Sequence, residues 1–275
     1  MNQYIHPNSK QFFAFNIWSQ ETAKAIMDAA SLMNRDVILQ TSMKAFEALE
    51  KEELRAFVTT YSHKKKIHAY LHLDHCRRVD IIQEAVELGW DSVMIDASDK
   101  PLEENIRLTN EVCTIMKGRG TPVEAEIGRI GGTEEETAAK EAGIAQIEDI
   151  KTFLQNTTVD MLAVAIGTSH GLYRGAPRLR YELIEKTALI SDIPLVIHGG
   201  TGLTKEMFLQ LLSFQNIKKI NISTDVKLAY RRGIEESFRN GYLEKKGFEP
   251  LKVADEVHKS IENMAADKMR LLEHS

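Results

Sequence analysis

The sequence predicts a TIM-type (β/α)₈ barrel, an α/β fold, with extra C-terminal helices, and three observations favour it. The chain has 275 residues, and barrels of this type take about 250. Eight short apolar runs rich in strand-forming residues alternate with longer segments that have helical spacing. The GxGxxG turn typical of open doubly wound sheets does not follow the first run. We therefore expect residues 1–275 to form one barrel domain.

The expected elements alternate in order along the chain. The predicted strands are residues 12–17, 37–42, 67–74, 92–97, 122–128, 161–167, 194–200 and 217–224. The clearest predicted helices are residues 21–33, 44–61, 79–88 and 102–116. Residues 129–148 break the alternation, because two glycines and an acidic run there are typical of a mobile loop over the strand ends. The tail from residue 252 onward is expected to form one or two final helices.

Composition and charge exclude several classes of function. The formal net charge is −5 and there is no long basic run, so nucleic acid is not an expected partner. The chain has no uninterrupted apolar stretch of about 18 residues and no signal-like start, so neither membrane spanning nor secretion is expected. The two cysteines, Cys76 and Cys113, lack metal or redox spacing. These features favour a cytoplasmic protein.

Carboxylates are predicted in the barrel interior. Successive strand side chains point to opposite sides, and the set that packs on the helices must be apolar. In the third strand this rule leaves His72 and Asp74 facing inward, and the next two strands add Asp96, Glu124 and Glu126. A buried, unpaired carboxylate takes up a proton, pairs with a cation or binds a metal. The sequence therefore predicts a cation inside the barrel.

Three histidines are predicted at the C-terminal ends of strands, where barrel active sites are built. They are His75, His170 and His198, at the ends of the third, sixth and seventh predicted strands. A single histidine there is more often structural, as we expect for His72. Three imidazoles with an open position are the pattern of a catalytic zinc site, although such ligands also suit cobalt and other divalent ions.

Glycine-rich or hydroxyl-rich turns follow the last two predicted strands, at residues 198–202 and 221–225. Barrels commonly hold a phosphate at this position on backbone N–H groups and hydroxyls. Gly171 and Arg174 could form a third side of such a pocket. Alternatively, the glycines of any one turn only allow a tight connection between two elements and bind no ligand.

The chain resembles the class II fructose- and tagatose-bisphosphate aldolases, in particular the shorter branch that includes tagatose-bisphosphate aldolase. Six motifs occur in family order: His72-Leu-Asp-His75, Met94-Ile-Asp-Ala-Ser98, Val123-Glu-Ala-Glu-Ile-Gly128 followed by Gly131-Gly132, Gly167-Thr-Ser-His-Gly171, His198-Gly-Gly-Thr-Gly202 and Asn221-Ile-Ser-Thr-Asp225. The resemblance covers nearly the whole chain. It implies a lyase of carbohydrate metabolism, including glycolysis, that reversibly cleaves a ketose phosphate into dihydroxyacetone phosphate and an aldehyde.

The resemblance also implies roles for individual residues. His75, His170 and His198 would bind Zn²⁺, and Asp96 and Glu126 would form a second or alternate metal position. Asp74 would be the proton donor and Glu134 the proton-abstracting base. The implied substrate-binding residues are Asn16, Ser42, Gly171, Arg174, Gly199, Gly200, Thr201, Asn221, Ser223, Thr224 and Asp225. A monovalent cation, Na⁺ or K⁺, and a homodimer or homotetramer are also implied.

Departures from the family pattern leave the acceptor aldehyde open. Leu251 stands where the bisphosphate-cleaving relatives carry an arginine for the second phosphate, so either the acceptor lacks a phosphate or Lys252 or Lys44 replaces the charge. Asp99 replaces a frequent histidine. Two other functions remain as alternatives: a zinc-dependent hydrolase and a noncatalytic sugar-phosphate-binding protein.

Overall fold

A computed structural model describes residues 5–132, 143–173, 175–244 and 247–274 of the chain. Eight parallel strands close into a barrel, in which the first strand, Phe12–Asn16, pairs with Val37–Ser42 on one side and with Ile217–Ile222 on the other. This closure, with helices between the strands, confirms the predicted (β/α)₈ fold.

Ten strands and ten helices are found in the described residues, and two of the strands lie outside the barrel. The strands are β1 (Phe12–Asn16), β2 (Val37–Ser42), β3 (Ala69–Cys76), β4 (Ser92–Ile95), β5 (Val123–Ile127), β6 (Gly131–Gly132), β7 (Met161–Val164), β8 (Ser169–His170), β9 (Leu195–Ile197) and β10 (Ile217–Ile222). The helices are α1 (Gln20–Leu32), α2 (Met43–Ala48), α3 (Lys51–Lys65), α4 (Val79–Glu87), α5 (Leu102–Lys117), α6 (Ile147–Asn156), α7 (Tyr181–Ile190), α8 (Lys205–Ser213), α9 (Thr224–Arg239) and α10 (Pro250–Arg270), followed by a 3₁₀ turn (Leu271–His274).

The barrel interior is apolar at one end and polar at the other. The apolar end is a cluster that includes Phe12 at the start of β1 and Ile38 near the start of β2. Two residues further along β2, the same inward face carries the buried Gln40, and β1 ends on the buried Asn16. The apolar layer closes the N-terminal end, so polar side chains gather at the C-terminal ends of the strands.

The outward-facing strand residues and the inner faces of the helices form the larger core. Leu71 and Leu73 of β3 belong to it, as the alternation rule predicted, while His72 and Asp74 are buried inside the barrel. On the outside, α10 packs against α9 closely because Gly233 has no side chain: a Cβ there would lie 2.4 Å from the Cα of Val257.

Several predicted boundaries were wrong. The segment predicted as one helix at residues 44–61 is two helices, α2 and α3, because the backbone of Leu49 is extended (φ −91°, ψ 149°). The predicted loop at 129–148 begins with β6, which pairs with β8, and it ends where α6 starts at Ile147. The tail, by contrast, forms one long helix and a short 3₁₀ turn, which confirms the predicted final helices. Within the described residues, no helix is both long enough and apolar enough to cross a membrane.

Candidate active site

His75 lies at an irregular point of β3. The pairing of β3 with β4 shifts register between Leu73 and Cys76, and the backbone of His75 has a left-handed φ of 48°. A residue other than glycine adopts this conformation at a cost of about 1–2 kcal/mol, and such strain concentrates at functional sites. The bulge places the imidazole beside two other histidines.

The three predicted histidines come together at the C-terminal end of the barrel. Nδ1 of His198 lies 2.8 Å from Nε2 of His75. The ring centroid of His75 lies 5.0 Å from the ring centroid of His170 and 4.5 Å from that of His198. One nitrogen from each ring lies within 4.8 Å of the others, a spacing that one metal ion can bridge.

Asp96 and Glu126 form a second group of metal-ligating atoms on the other side of His75. Nδ1 of His75 lies 3.1 Å from Asp96 Oδ2 and 3.8 Å from Glu126 Oε2. Burial alone would raise the pKa of Asp96, but the hydrogen bond and charge of His75, the hydrogen bond of Ser98 and the charge of Arg77 together outweigh it and lower the pKa. Burial, with the Asp96 charge, raises the pKa of Glu126 to about 8. The positive charge beside Asp96 and Glu126 therefore does not keep both buried carboxylates ionised.

The donor set fits a divalent metal ion. Oε2 of Glu126 is buried and has no hydrogen-bond partner in the described part of the chain, which a cation would correct. Three imidazoles suit zinc, and the neighbouring carboxylates suit a second or alternate position.

Asp74, the predicted proton donor, is fully buried and receives N–H groups from three amide side chains. Oδ2 accepts from Gln40 at 3.0 Å and from Asn16 at 3.4 Å, while Oδ1 accepts from Asn221 at 3.2 Å. Gln40 also donates to Oδ1 of Asn16 at 2.6 Å. Gln40 was not predicted as a site residue, although the alternation of side chains along β2 places it inside the barrel.

A buried ion pair lies beneath the histidines. Lys219 Nζ donates to Glu124 Oε2 at 2.6 Å, and His198 Nε2 lies 2.8 Å from Glu124 Oε1. Burial alone would raise the pKa of Glu124, but the Lys219 charge, together with the hydrogen bond and charge of His198 and the charge of His72, holds this pKa well below its usual range. Burial also lowers the pKa of His72, which lies 3.5 Å from Glu124. Lys219 was not predicted as a site residue. It lies two residues before Asn221 in the same strand, so the alternation of side chains places both inside the barrel.

The predicted phosphate-binding turns lie side by side. Gly199 has a φ of +70°, and a Cβ there would lie 2.6 Å from the carbonyl oxygen of Ser169. The backbone N–H of Gly200 donates to the carbonyl of Asn221 at 3.1 Å, which ties the turn after β9 to the end of β10. Ser223 lies between the end of β10 and the start of α9, and its buried hydroxyl has no hydrogen-bond partner among the described residues.

The remaining predicted substrate residues have more varied contacts. Thr201 Oγ1 accepts the backbone N–H of Asp225 at 3.0 Å, and the Asp225 carboxylate pairs with Lys268 at 2.8 Å. Ser42 lies beside Asp74 in the strand pairing and caps α2. Thr224 begins α9.

The loop side of the site is only partly described. Gly171 follows β8 with a φ of +83°. Gly132, the last described residue before the loop, pairs with His170. Glu134 and Arg174 lie outside the described residues.

Tyr173, which was not predicted as a site residue, connects two parts of the site. Its hydroxyl donates to the carbonyl of Gly199 at 2.7 Å and accepts the N–H of Ser169 at 3.1 Å. Burial raises the pKa of this phenol to about 12. The phenol therefore stays protonated and holds the glycine turn against β8.

Comparisons with known proteins show the family to which the chain belongs. The model of the class-II fructose-bisphosphate aldolase family matches residues 2–275. The YdjI aldolase from Escherichia coli K12 is 27% identical, with a TM-score of 0.79 over 96% of this chain and 91% of that chain. A putative fructose-1,6-biphosphate aldolase from Coccidioides immitis is 25% identical, with a TM-score of 0.85 over 96% of this chain and 92% of that chain.

A third solved structure shares the fold. Fructose-bisphosphate aldolase from Campylobacter jejuni is 22% identical, with a TM-score of 0.80 over 96% of this chain and 90% of that chain. The family match spans the motifs that were used for the resemblance, and it favours aldol chemistry over the hydrolase and noncatalytic alternatives. The chain belongs to the class II fructose-bisphosphate aldolase family and is an aldehyde-lyase.

Proposed function

We propose that the protein is a zinc-dependent aldolase that reversibly cleaves a ketose 1-phosphate into dihydroxyacetone phosphate and an aldehyde. The observation that carries the proposal is the convergence of His75, His170 and His198 at the barrel rim. Asp74 precedes His75 in β3 and is held by three amide side chains.

The proposed metal ligands are the three histidines, and Asp96 and Glu126 form the alternate position next to His75. A bound Zn²⁺ would act as a Lewis acid on the ketone oxygen, which makes the neighbouring carbon easier to deprotonate.

The proposed proton transfers use two carboxyl groups. In the cleavage direction, the carboxylate of Asp74 takes the proton of the hydroxyl on the carbon that becomes the aldehyde. The carbon–carbon bond then breaks, its electron pair stays on the carbon next to the ketone, and Glu134 returns a proton to that carbon. In the synthetic direction Glu134 removes this proton and Asp74 donates one to the new hydroxyl oxygen. The buried position of Asp74 and its three donors support a fixed orientation for this transfer.

The phosphate of dihydroxyacetone phosphate is proposed to bind between the turn after β9 and the start of α9. The N-terminus of a helix carries unpaired N–H groups and a partial positive charge, which favour an anion. The close approach of Gly199 to β8 supports this position, as does the buried hydroxyl of Ser223, which no described residue contacts through a hydrogen bond. Gly171, Arg174, Gly200, Thr201, Thr224 and Asp225 complete the proposed substrate-binding set, together with Asn16, Ser42 and Asn221. A Na⁺ or K⁺ ion beside the phosphate belongs to the same proposal.

The acceptor half is proposed to lack the distal phosphate. Leu251, in the first turn of α10, is 78% exposed and cannot bind an anion. Lys252, one alternative source of charge, places its ammonium 5.1 Å from the ring centroid of Tyr242. We expect ketose 1-phosphates to be better substrates than bisphosphates; a preference for bisphosphates would favour Lys44 or Lys252 as the replacement for the missing charge.

A cleavage assay tests the proposal. Zinc-loaded protein is given fructose and tagatose 1,6-bisphosphates and the matching ketose 1-phosphates, and released dihydroxyacetone phosphate is measured with and without chelator. We expect chelator-sensitive release that is faster from the monophosphates. Faster release from the bisphosphates would show that another cation replaces the arginine, and release from none would contradict the proposed activity. Light scattering of the same sample tests the proposed homodimer or homotetramer.

A further inference from the structure

The feature that leads to a further inference is the carboxylate of Glu124 in the layer beneath the proposed metal site. Its side chain is fully buried, as are those of its three neighbours. Oε1 lies 2.8 Å from His198 Nε2, while Oε2 lies 2.6 Å from Lys219 Nζ and 3.5 Å from His72 Nε2. The aldol chemistry proposed above uses neither Glu124 nor Lys219.

The contact between Glu124 and His198 determines which ring nitrogen carries the proton. An ionised carboxylate is only an acceptor, so the nitrogen that faces it at 2.8 Å must donate. Nε2 of His198 therefore carries the hydrogen, and Nδ1 keeps its lone pair. Nδ1 is also the atom that faces His75 Nε2 at 2.8 Å, toward the centre of the three histidines.

Lys219 sets the position of the carboxylate. Its ammonium donates to Oε2, so Oε1 remains for His198. The same contact keeps the ammonium paired at full burial, where an unpaired charge would be strongly unfavourable. Lys219 is therefore not available as an amine nucleophile.

We propose that Glu124, fixed by Lys219, is a positioning residue that holds His198 in the tautomer whose Nδ1 faces the metal. Partners of this kind orient a metal-binding histidine and raise its basicity. The inference rests on the proposed function in one respect only, namely that His198 is a metal ligand. A purely structural ion pair would affect the stability of the barrel but not the affinity for zinc.

The tautomer can be measured directly in the wild-type protein. The chain has 9 histidines, so protein labelled with ¹⁵N at histidine gives a tractable long-range proton–nitrogen spectrum. The signals of His198 are assigned by comparison with His198→Gln. We expect metal-free protein to show a protonated Nε2 and an unprotonated Nδ1 for His198. A proton on Nδ1 would overturn the proposal.

Paired substitutions test the effect on metal affinity without leaving a buried charge alone. Glu124→Leu with Lys219→Met removes both charges and the acceptor for His198. Glu124→Gln with Lys219→Met removes both charges but keeps an amide oxygen that can accept the same hydrogen bond. Glu84→Leu with Lys51→Met is the matched control, because that ion pair has a similar separation of 2.6 Å but lies on the surface.

Zinc dissociation constants from competition with a chromogenic chelator give the readout. We expect the Leu/Met pair to bind zinc about 10–100-fold more weakly than wild type. The Gln/Met pair should recover most of that loss, and the surface control should not differ from wild type. Equal zinc affinity in the Leu/Met pair and wild type would refute the positioning role.

The two measurements separate this inference from the proposed function. If the Leu/Met pair does not fold, the spectrum of the wild-type protein still decides the tautomer. Neither readout requires turnover, so absence of aldol cleavage would contradict the proposed activity and leave the positioning role intact. Conversely, an active enzyme with a proton on Nδ1 of His198 would retain the proposed activity and lose this inference.

Discussion

Replacing Asp74 with asparagine tests the proton-transfer role with almost no change in shape. The carboxylate accepts three N–H groups, two at Oδ2 and one at Oδ1. If the new amide nitrogen takes the place of Oδ1, the contacts with Gln40 and Asn16 at Oδ2 are kept and the contact with Asn221 becomes unfavourable. Oδ1 of Asn221 has no hydrogen-bond partner among the described residues, so rotation of that amide would restore the contact. We therefore expect the variant to fold and to bind metal as the wild type does.

The expected effect on turnover is large because an amide cannot exchange a proton with the substrate hydroxyl. A positioned acid or base contributes about 10²–10⁴-fold to a rate. That range corresponds to about 3–5 kcal/mol of transition-state stabilisation. One lost hydrogen bond to a charged group would account for only about 1.5–3 kcal/mol. A loss toward the upper end of the first range is therefore beyond what altered contacts explain.

The assay separates the two proton transfers. Cleavage of the preferred ketose phosphate reports the step assigned to Asp74, whereas exchange of a dihydroxyacetone phosphate C–H with solvent reports the step assigned to Glu134. We expect Asp74→Asn to lose cleavage by about 10²–10⁴-fold while exchange falls much less. Asp80→Asn, on a carboxylate whose side chain is 66% exposed, is the matched control. Cleavage within about threefold of wild type in Asp74→Asn would refute the role of Asp74.

Three further predictions concern the loop, the glycine turn and stability. Glu134→Gln should abolish solvent exchange but leave zinc affinity unchanged; retained exchange would exclude Glu134 as the base. Gly199→Ala should destabilise the protein by about 2–4 kcal/mol in urea unfolding, because φ is +70° and the Cβ would meet the backbone of β8. The control Gly118→Ala, which has nothing within 4 Å, should lose no stability. Burial raises the pKa of Asp28, but hydrogen bonds from two lysines and a tyrosine lower it from 3.8 to about 2. Asp28→Asn should therefore lose about 2 kcal/mol at pH 7, and the difference should shrink as pH falls from about 4 toward 2; a constant difference would contradict the assignment.

The succession of strands and helices along the chain predicted the barrel, and the alternation of side chains along each strand predicted much of its interior. The fold rule requires apolar residues on the outer face of each strand, so a polar residue at an alternate position must lie inside. This placed Asp74, Asp96, Glu124 and Glu126 in the interior, where the structure has them. The same rule could have found Gln40, whose position in β2 follows the identical pattern.

The short-range breaks in the backbone could not be predicted in this way. Two extended residues, Leu49 and Glu50, separate α2 from α3, although the segment has helical spacing on both sides. The register shift in β3 likewise has no signal in the sequence, because a left-handed backbone at a histidine depends on how β3 and β4 pair. Propensity describes local preference, whereas these breaks are set by packing of neighbouring elements.

The sequence by itself determined the order of the elements, the side of each strand that faces inward and the kinds of ligand atoms at the strand ends. The tertiary structure decided which of those atoms meet: His75 offers one ring nitrogen toward His198 and the other toward Asp96. It also decided that Glu124 pairs with Lys219, a residue 95 positions away in the chain. Periodicity along a strand fixes direction but not distance across a barrel, because the distance depends on the register and closure of all eight strands.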